Sequence, residues 1–175
     1  TLLDWNQRLN LTAITEPDEI AVKHFLDALS INPHLPALPP DFALIDVGSG
    51  AGLPGLPLKI LRPAMRLTLL EARAKKTAFL QHMIEALNVT GATVVTARAE
   101  EAGHQPALRE QYDLALARAV APLPVLAEYM LPLVKVGGWI AAQKGLHPGD
   151  EIKAAANVLN ILGGGVPQVR PLSVP

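Results

Sequence analysis

The hydrophobic pattern of the chain changes near residue 41. Before that point, apolar residues recur at helical intervals over residues 1–11 and again over residues 15–29. The second run has a threonine cap at Thr15, Pro17 in the first turn and acidic neighbours, a pattern typical of a helix start. Its predicted apolar stripe consists of Ile20, Phe25, Ala28 and Leu29. Residues 33–40 are rich in proline, so we predict a helical cap followed by a linker over residues 1–40.

From residue 41 onward, short apolar runs alternate with helical runs. The predicted strands are residues 43–47, 66–70, 92–96, 113–117 and 139–142. The predicted helices are residues 54–61, 75–88, a short polar segment around 101–111, 124–134 and 148–162. Strands without polar alternation, each followed by a helix, indicate a parallel sheet covered on both faces. We therefore predict a Rossmann-like, doubly wound α/β domain over residues 41–175.

Composition narrows the functional classes. Lys and Arg number 15 against 16 Asp and Glu, so overall charge favours neither a nucleic acid nor a membrane, and any basic face must be local. The absence of cysteine excludes disulfides, thiolate–metal sites and a cysteine nucleophile. No apolar run approaches the roughly 20 residues of a membrane span, so we expect a cytoplasmic protein without a membrane partner or a metal. Because the chain begins at Thr1 and stops at Pro175 without a closing element, we interpret it as a fragment lacking both ends and its final strands.

A glycine-rich loop follows the first predicted strand. Gly48, Gly50, Gly52 and Gly55 come directly after Asp46-Val47. Glycines permit left-handed backbone and close approach of a ligand, and the amides of the next helix can hold an anion. Residues 50–55 match a dinucleotide fingerprint, but we expect Asp46 at the mouth of the site, where it would repel a pyrophosphate. S-adenosylmethionine has no phosphate and carries two cationic groups, so it is the predicted ligand; a nicotinamide-dependent oxidoreductase and a plain turn remain as alternatives.

Three further strand ends carry candidate ligand contacts. Glu71 ends the second strand a little over 20 residues after Asp46, where an acid can accept hydrogen bonds from ribose hydroxyls. Ala99 and Glu100 follow the third strand, either bordering the adenine or forming a surface turn. Arg118 ends the fourth strand in an apolar stretch and needs a partner, which can be the cofactor, the substrate or a neighbouring acid in a structural salt bridge.

The predicted methyl acceptor is narrowed by two absences. Residues 118–121 do not form the Asn/Asp-Pro-Pro-aromatic tetrad typical of enzymes that methylate exocyclic base amines. Without cysteine, covalent attack on a pyrimidine carbon is also excluded. Ring nitrogens, hydroxyls and carboxylates remain as candidate methyl acceptors. A guanine ring nitrogen at the Hoogsteen edge has a free lone pair, so its methylation needs only proximity and orientation.

Several segments together resemble one family. They are residues 5–14, 24–29, 46–55, 57–60, 75–80, 98–100, 117–121 and 144–145. The chain resembles the bacterial 16S rRNA guanine-N7 methyltransferases, also called glucose-inhibited division protein B. The first two segments and the one around Arg118 are the most specific in combination. Ala28 departs from the family pattern, which usually has serine there.

The resemblance implies the class I S-adenosylmethionine-dependent methyltransferase fold with a helical N-terminal cap. It implies methyl transfer to the N7 of a guanine in the 530 loop of 16S rRNA, with the rRNA or the small ribosomal subunit as partner. The cofactor contacts that it implies are Gly48, Leu53, Glu71, Ala72, Arg73, Ala99, Glu100 and Arg118. The loop pattern adds Asp46, Gly50 and Gly52. The family extends beyond both ends of this chain.

Substrate contacts are expected around the same edge of the sheet. Arg73, Lys75, Lys76 and Lys144 can position phosphates without reading sequence, although residues 73–76 are equally typical of a solvated helix start. In the cap, His24 lies one helical turn from Asp27 and Asn6 one turn from Asn10. The first pair can interact, or His24 can be a core residue; the asparagines line the pocket mouth or end a helix. The predicted substrate residues are Asn10, His24, Lys75, Lys76 and Lys144.

No catalytic residue is assigned from the sequence. Two other functions remain open beside the oxidoreductase. The chain can methylate another RNA or a small molecule, or it can be an RNA- or ribosome-binding module with a vestigial pocket.

Overall fold

Five parallel strands form the centre of the computed structural model, which describes residues 1–172. Their order in the sheet is β3-β2-β1-β4-β5, and every neighbouring pair is parallel. The strands are β1 (Ala43–Val47), β2 (Arg66–Glu71), β3 (Ala92–Thr96), β4 (Tyr112–Arg118) and β5 (Val134–Gln143). The order reverses at β1, so the crevice outside the ends of β1 and β4 is the expected ligand position for such a sheet. The predicted α/β fold is confirmed.

Eight α-helices accompany the sheet in the described residues. They are α1 (Leu2–Leu9), α2 (Pro17–Ile20), α3 (Asp27–Ser30), α4 (Gly55–Leu61), α5 (Ala74–Ala86), α6 (Ala99–Ala102), α7 (Leu123–Met130) and α8 (Gly149–Ile161). A π-helical segment, Ala21–Leu26, joins α2 to α3. Short 3₁₀ turns lie at Asn32–His34 and Leu131–Leu133.

The core has two layers because side chains alternate along the buried strands. Leu44, Leu67 and Leu114 face the layer that also contains Phe79 and Leu80 of α5. On the other face, Ile45, Ala115 and Ala117 belong to the layer that contains residues of α6 and α7. Small alanines on β4 leave room for α7, while leucines on the opposite side pack against α4 and α5. The sheet is thus covered on both faces, as a continuous apolar strand pattern requires.

The cap region differs from its predicted form in two respects. The helix begins at Pro17 with Glu16 as its N-cap and no side-chain cap, so the predicted Thr15 cap is wrong. Phe25 is 45% exposed although it was expected in the buried stripe. A π-helical turn advances more residues per turn than an α-helix, so it rotates Phe25 away from the face that buries Ile20 and Ala28.

Two predicted helices are shorter than expected. Around residues 101–111 the structure has only the end of α6, which spans Ala99–Ala102. Gly103 and Pro106 interrupt the helix, and Glu110 takes a left-handed conformation with φ +56°. The run 124–134 ends as a helix at Met130, and Val134 opens β5. The other predicted helices and strands begin and end within about two residues of the observed ones, except that β5 begins five residues early.

The N-terminal segment packs on the sheet layer through an aromatic contact. The Trp5 ring on α1 lies 5.5 Å from Phe79 and 5.3 Å from His82, both on α5. Whether residues 1–40 behave as a separate cap stays a prediction, and the last three residues of the predicted domain, 173–175, lie outside the described residues. Across residues 1–172, no helix combines the length and the apolar character needed to cross a membrane.

Candidate cofactor and RNA site

The loop after β1 owes its shape to three glycines in the left-handed conformation. Their φ angles are +72° at Gly48, +54° at Gly50 and +81° at Gly52. A Cβ added at Gly48 would lie 2.7 Å from Val120, and one at Gly52 would lie 2.5 Å from Leu56. At Gly50 an added Cβ would meet only a carbonyl oxygen, at 3.8 Å. The loop is therefore packed at both ends and open over Gly50, where a ligand can approach the backbone.

Asp46 holds the start of α4 from beneath the loop. Its Oδ2 accepts a hydrogen bond from the Gly55 amide at 2.9 Å. A Cβ on Gly55 would lie 2.7 Å from that oxygen and 3.0 Å from Leu69, so only glycine permits this approach. Asp46 is 1% exposed. It therefore lies under the loop, whereas the sequence argument against a pyrophosphate placed it at the mouth.

The electrostatics of Asp46 are unusual for an aspartate. Its pKa is raised from 3.8 to about 7, chiefly by burial, and the negative charge of Glu71 acts in the same direction. The Gly55 amide and the positive charge of Arg118 act in the opposite direction. Its second oxygen, Oδ1, is buried and has no hydrogen-bond partner among residues 1–172. The site thus contains a carboxyl group that a nearby cation would stabilise in its ionised form.

Glu71 connects the glycine loop to the end of β2. Its Oε2 accepts the Gly50 amide at 3.1 Å, and its Oε1 accepts the Arg73 amide at 2.9 Å. The side chain is buried, with 8% of the residue exposed. Each carboxylate oxygen has two lone pairs, so both can accept a further hydrogen bond from a ribose hydroxyl. Glu71 therefore combines the expected ligand position with a role in shaping the loop.

Arg118 binds an acid from the cap. Its Nη1 lies 2.7 Å from Oδ2 of Asp27, and its side chain is 16% exposed. Gln143, the neighbour of Arg118 on β5, donates its amide to the Asp27 carbonyl at 3.1 Å. The Oε1 of Gln143 is buried and has no partner in the described part of the chain. The sequence left the cofactor, the substrate and a neighbouring acid open as partners of Arg118. In the structure, the neighbouring acid lies beside it.

The cap residues His24 and Asn10 have separate surroundings. The Nε2 of His24 lies 2.6 Å from Oγ1 of Thr12, and the His24 ring makes no hydrogen bond to the Asp27 carboxylate, which instead binds Arg118. Burial lowers the pKa of His24, and the Arg118 charge lowers it further, so the ring is neutral near pH 7. Asn10 ends α1 with φ +48°, which agrees with the interpretation that it ends a helix.

A basic cleft is formed where α1 meets the start of α5. It has a volume of about 390 Å³ and is lined by Arg8, Leu9, Asn10, Arg73, Ala74, Lys75 and Lys76. Four predicted site residues, Asn10, Arg73, Lys75 and Lys76, are thereby brought together. Arg8 was not predicted as a site residue. On the polar face of an amphipathic helix, the sequence does not distinguish an arginine that binds a ligand from one that only faces water.

Lys144 lies apart from the basic cleft and has partners of its own. Its Nζ is 2.8 Å from Oε2 of Glu151 and donates to the Ala121 carbonyl at 2.9 Å. The same Glu151 oxygen accepts the Leu123 amide at 2.8 Å. These bonds tie the end of β5 to the starts of α7 and α8. Lys144 is 20% exposed, so this structural role leaves little of it for RNA.

The remaining predicted contacts lie at strand ends or beside the loop. Leu53 is buried, and Ala72 is exposed between Glu71 and Arg73. Ala99 is half-buried at the start of α6. Glu100 is exposed, 3.6 Å from the guanidinium of Arg98. Ala72, Ala99 and Glu100 therefore lie on the carboxyl side of β2 and β3, the edge expected for a nucleoside in this fold.

Solved structures share this architecture. One is a precorrin-6y C5,15-methyltransferase from Geobacter metallireducens, with a TM-score of 0.56 and 18% identity over 90% of this chain and 75% of that one. Another is a SAM-dependent methyltransferase from Aquifex aeolicus, with a TM-score of 0.60 and 15% identity over 88% and 86% of the two chains. At these identities the likeness shows the fold alone. It is the fold of the class I S-adenosylmethionine-dependent methyltransferases.

Sequence relatives give the family. The family model described as rRNA small subunit methyltransferase G, or GidB, matches residues 1–173. A relative of that name from Roseiflexus sp. (strain RS-1) is 52% identical over 98% of this chain and 72% of its own length. One from Alkaliphilus metalliredigens is 47% identical over 99% and 72%. The chain belongs to the rRNA small subunit methyltransferase G family, so it is an S-adenosylmethionine-dependent methyltransferase, and the predicted resemblance and cofactor are confirmed.

Proposed function

We propose that this protein transfers a methyl group from S-adenosylmethionine to the N7 of a guanine in the 530 loop of 16S rRNA, acting in the cytoplasm on rRNA or the small ribosomal subunit. Family membership supports rRNA as the substrate class. The observation that carries the proposal is the open glycine loop at the point where the sheet order reverses, with Glu71 bonded to it.

The residues of the site fit S-adenosylmethionine. The open backbone over Gly50 can receive the amino-acid part of the cofactor. Oδ1 of Asp46 has no hydrogen-bond partner among residues 1–172, and a cationic ligand above it would stabilise the ionised carboxylate. Glu71 has acceptor capacity for the ribose. The proposed contacts are Asp46, Gly48, Gly50, Gly52, Leu53, Glu71, Ala72, Arg73, Ala99, Glu100 and Arg118.

The chemistry asks little of the protein beyond placement. The cofactor supplies a methyl group on a cationic sulfur, and the lone pair of guanine N7 can accept it without loss of a proton. No general base is then required, and none is assigned. The work of the chain is to exclude competing orientations and hold the guanine in line, which can account for a large rate enhancement by itself.

Arg118 and Asp27 fit a positioning role in this scheme. The ion pair joins β4, at the cofactor edge, to α3 of the cap. It fixes the guanidinium and brings the cap against the strand ends. Among the proposed substrate residues, Asn10, Lys75 and Lys76 share the basic cleft, His24 is bonded to Thr12, and Lys144 is the weakest candidate because of Glu151.

Calorimetry and methyl mapping test the proposal. We expect S-adenosylhomocysteine to bind the protein, and we expect methyl groups on unmodified small-subunit rRNA to map to guanine N7 in the 530 loop. The matched variants are Glu71→Gln, which weakens the ribose acceptor, and the exposed Glu128→Gln as a control. Absence of binding at millimolar ligand would end the cofactor assignment, and a methyl group at any other position would overturn the substrate.

A further inference from the structure

The basic cleft carries positive charge that the described residues do not balance. Arg8, Arg73, Lys75 and Lys76 line one cavity of about 390 Å³. None of the ion pairs among residues 1–172 includes any of the four. Lys76 is half-buried, so its charge is only partly screened by water. An anion in the cleft would remove the mutual repulsion.

The first turn of α5 has the opposite charge from the one that a helix start favours. Acids near a helix N-terminus interact well with its partial positive charge, and cations interact poorly. In this chain α2, α6 and α8 follow the rule, with two acidic residues each in their first turns. Helix α5 has no acid there and instead has Lys75 and Lys76. The two lysines do not stabilise this helix start by themselves, whereas an anionic ligand beside them would account for their position.

Unpaired amides point to the same kind of ligand. Arg73 is the N-cap of α5 and makes no side-chain capping bond. Within residues 1–172, the amides of Ala74 and Lys75 have no acceptor. Free amides at the N-terminus of a helix, surrounded by basic side chains, form a good site for a phosphate.

The cleft adjoins the cofactor edge and spans two parts of the chain. The Arg73 amide donates to Oε1 of Glu71 at 2.9 Å, so the cleft begins beside the proposed ribose partner. Arg8 comes from α1, which the Trp5–Phe79 contact holds against α5. An extended polyanion held there would reach the cofactor edge with one of its units.

We propose that the basic cleft binds a backbone phosphate of the RNA substrate close to the target nucleotide, with Arg8 as the contact supplied by the cap. The proposal rests on the proposed function and adds a sequence-independent clamp to it. Such a contact sets the register of the RNA on the enzyme without identifying the base.

Salt-dependent RNA binding by the Arg8→Ala variant tests the clamp. The probe is a 16S rRNA fragment that contains the 530 loop, titrated at several KCl concentrations. Removing one phosphate contact should lower the slope of log Kd against log salt by about one. Between about 50 and 200 mM KCl, the variant should then lose about threefold less affinity than the unmodified protein. Lys76→Ala should behave in the same way, and Arg8→Lys should retain the slope.

The control is Lys153→Ala, which removes an exposed cation of α8 that lies 3.9 Å from Asp150. Its salt slope should equal that of the unmodified protein. An unchanged slope in both Arg8→Ala and Lys76→Ala would overturn the clamp, even if methyl transfer to the 530 loop is normal. Reduced slopes with methylation at another position would instead support the clamp and contradict the proposed substrate.

Discussion

Asp46 shows how a single buried carboxyl group can make the site sensitive to pH. The raised pKa means that the folded protein favours the protonated form, whereas the unfolded chain ionises near 3.8. Between pH 4 and about 7 the folded state therefore holds more protons, and stability falls as pH rises through this window. Above pH 7 the free-energy cost of keeping the ionised Asp46 buried no longer changes with pH. The arrangement is tolerable for a site whose ligand carries positive charge.

The Asp46→Asn variant should lose this pH dependence. The asparagine Oδ1 can still accept the Gly55 amide, while no charge is buried. Between pH 5 and pH 8 we expect the free energy of unfolding of the unmodified protein to fall by roughly 2 kcal/mol relative to the variant. Urea unfolding at the two pH values measures this difference.

Asp150→Asn is the matched control for that experiment, because the Asp150 side chain is fully exposed. It should follow the unmodified protein at both pH values. Parallel pH curves for Asp46→Asn and the unmodified protein would show that Asp46 is not the titrating group.

At the scale of single elements, α4 depends on its first residue. Gly55 lets the helix approach β1 closely enough for its amide to reach Asp46, and Leu69 of β2 packs against the same point. The glycine that sequence reasoning assigned to a ligand loop is thus also a packing residue. A helix held this close fixes the direction of the loop that precedes it.

Gly55→Ala should be strongly destabilising. Its Cβ would lie 2.7 Å from Oδ2 of Asp46, so the helix must shift, at a cost of about 1–3 kcal/mol. The melting temperature and the affinity for S-adenosylhomocysteine should both fall. In Gly149→Ala, at the start of α8, the new Cβ meets nothing within 4 Å, so stability should not fall. Equal melting temperatures for the two variants would contradict the packing role of Gly55.

At the scale of the whole molecule, the cap and the sheet meet through apolar packing and a smaller set of polar contacts. Trp5 packs on α5, Asp27 binds Arg118, and the basic cleft lies between α1 and α5. Each contact joins residues that are distant in sequence. The proposed RNA clamp therefore requires the cap to remain docked.

Trp5→Ala should undock α1. The indole is half-buried against Phe79, so its loss should destabilise the docked helix by about 2–3 kcal/mol. In hydrogen exchange, amides of α1 should lose protection while those of β1 keep theirs. Trp139→Ala is the control, because Trp139 is 45% exposed on β5. If α1 and β1 lose protection together, residues 1–40 are not a separate cap.

The sequence predicts the sheet well and the contacts between distant segments poorly. Strand β1 has its predicted ends, because a fully buried parallel strand appears as an uninterrupted apolar run. The edge strand β3 is only partly buried, yet it also has its predicted ends. Strand β5 begins at Val134, and its exposed first half, including Val136 and Gly137, has no such pattern. The loop glycines were recognised by spacing. The partner of Arg118 lies 91 residues away in the chain, and no local pattern indicates which acid that is.

Glu71 has a consequence for turnover. Because its carboxylate already holds the Gly50 amide, the loop keeps its shape without help from the cofactor, and binding requires little ordering. The demethylated cofactor has the same amino-acid and ribose groups and differs at the sulfur. A preformed loop therefore retains the spent molecule nearly as well as the fresh one. We expect the enzyme to be inhibited by its own product, so that the ratio of the two molecules in the cell sets its rate.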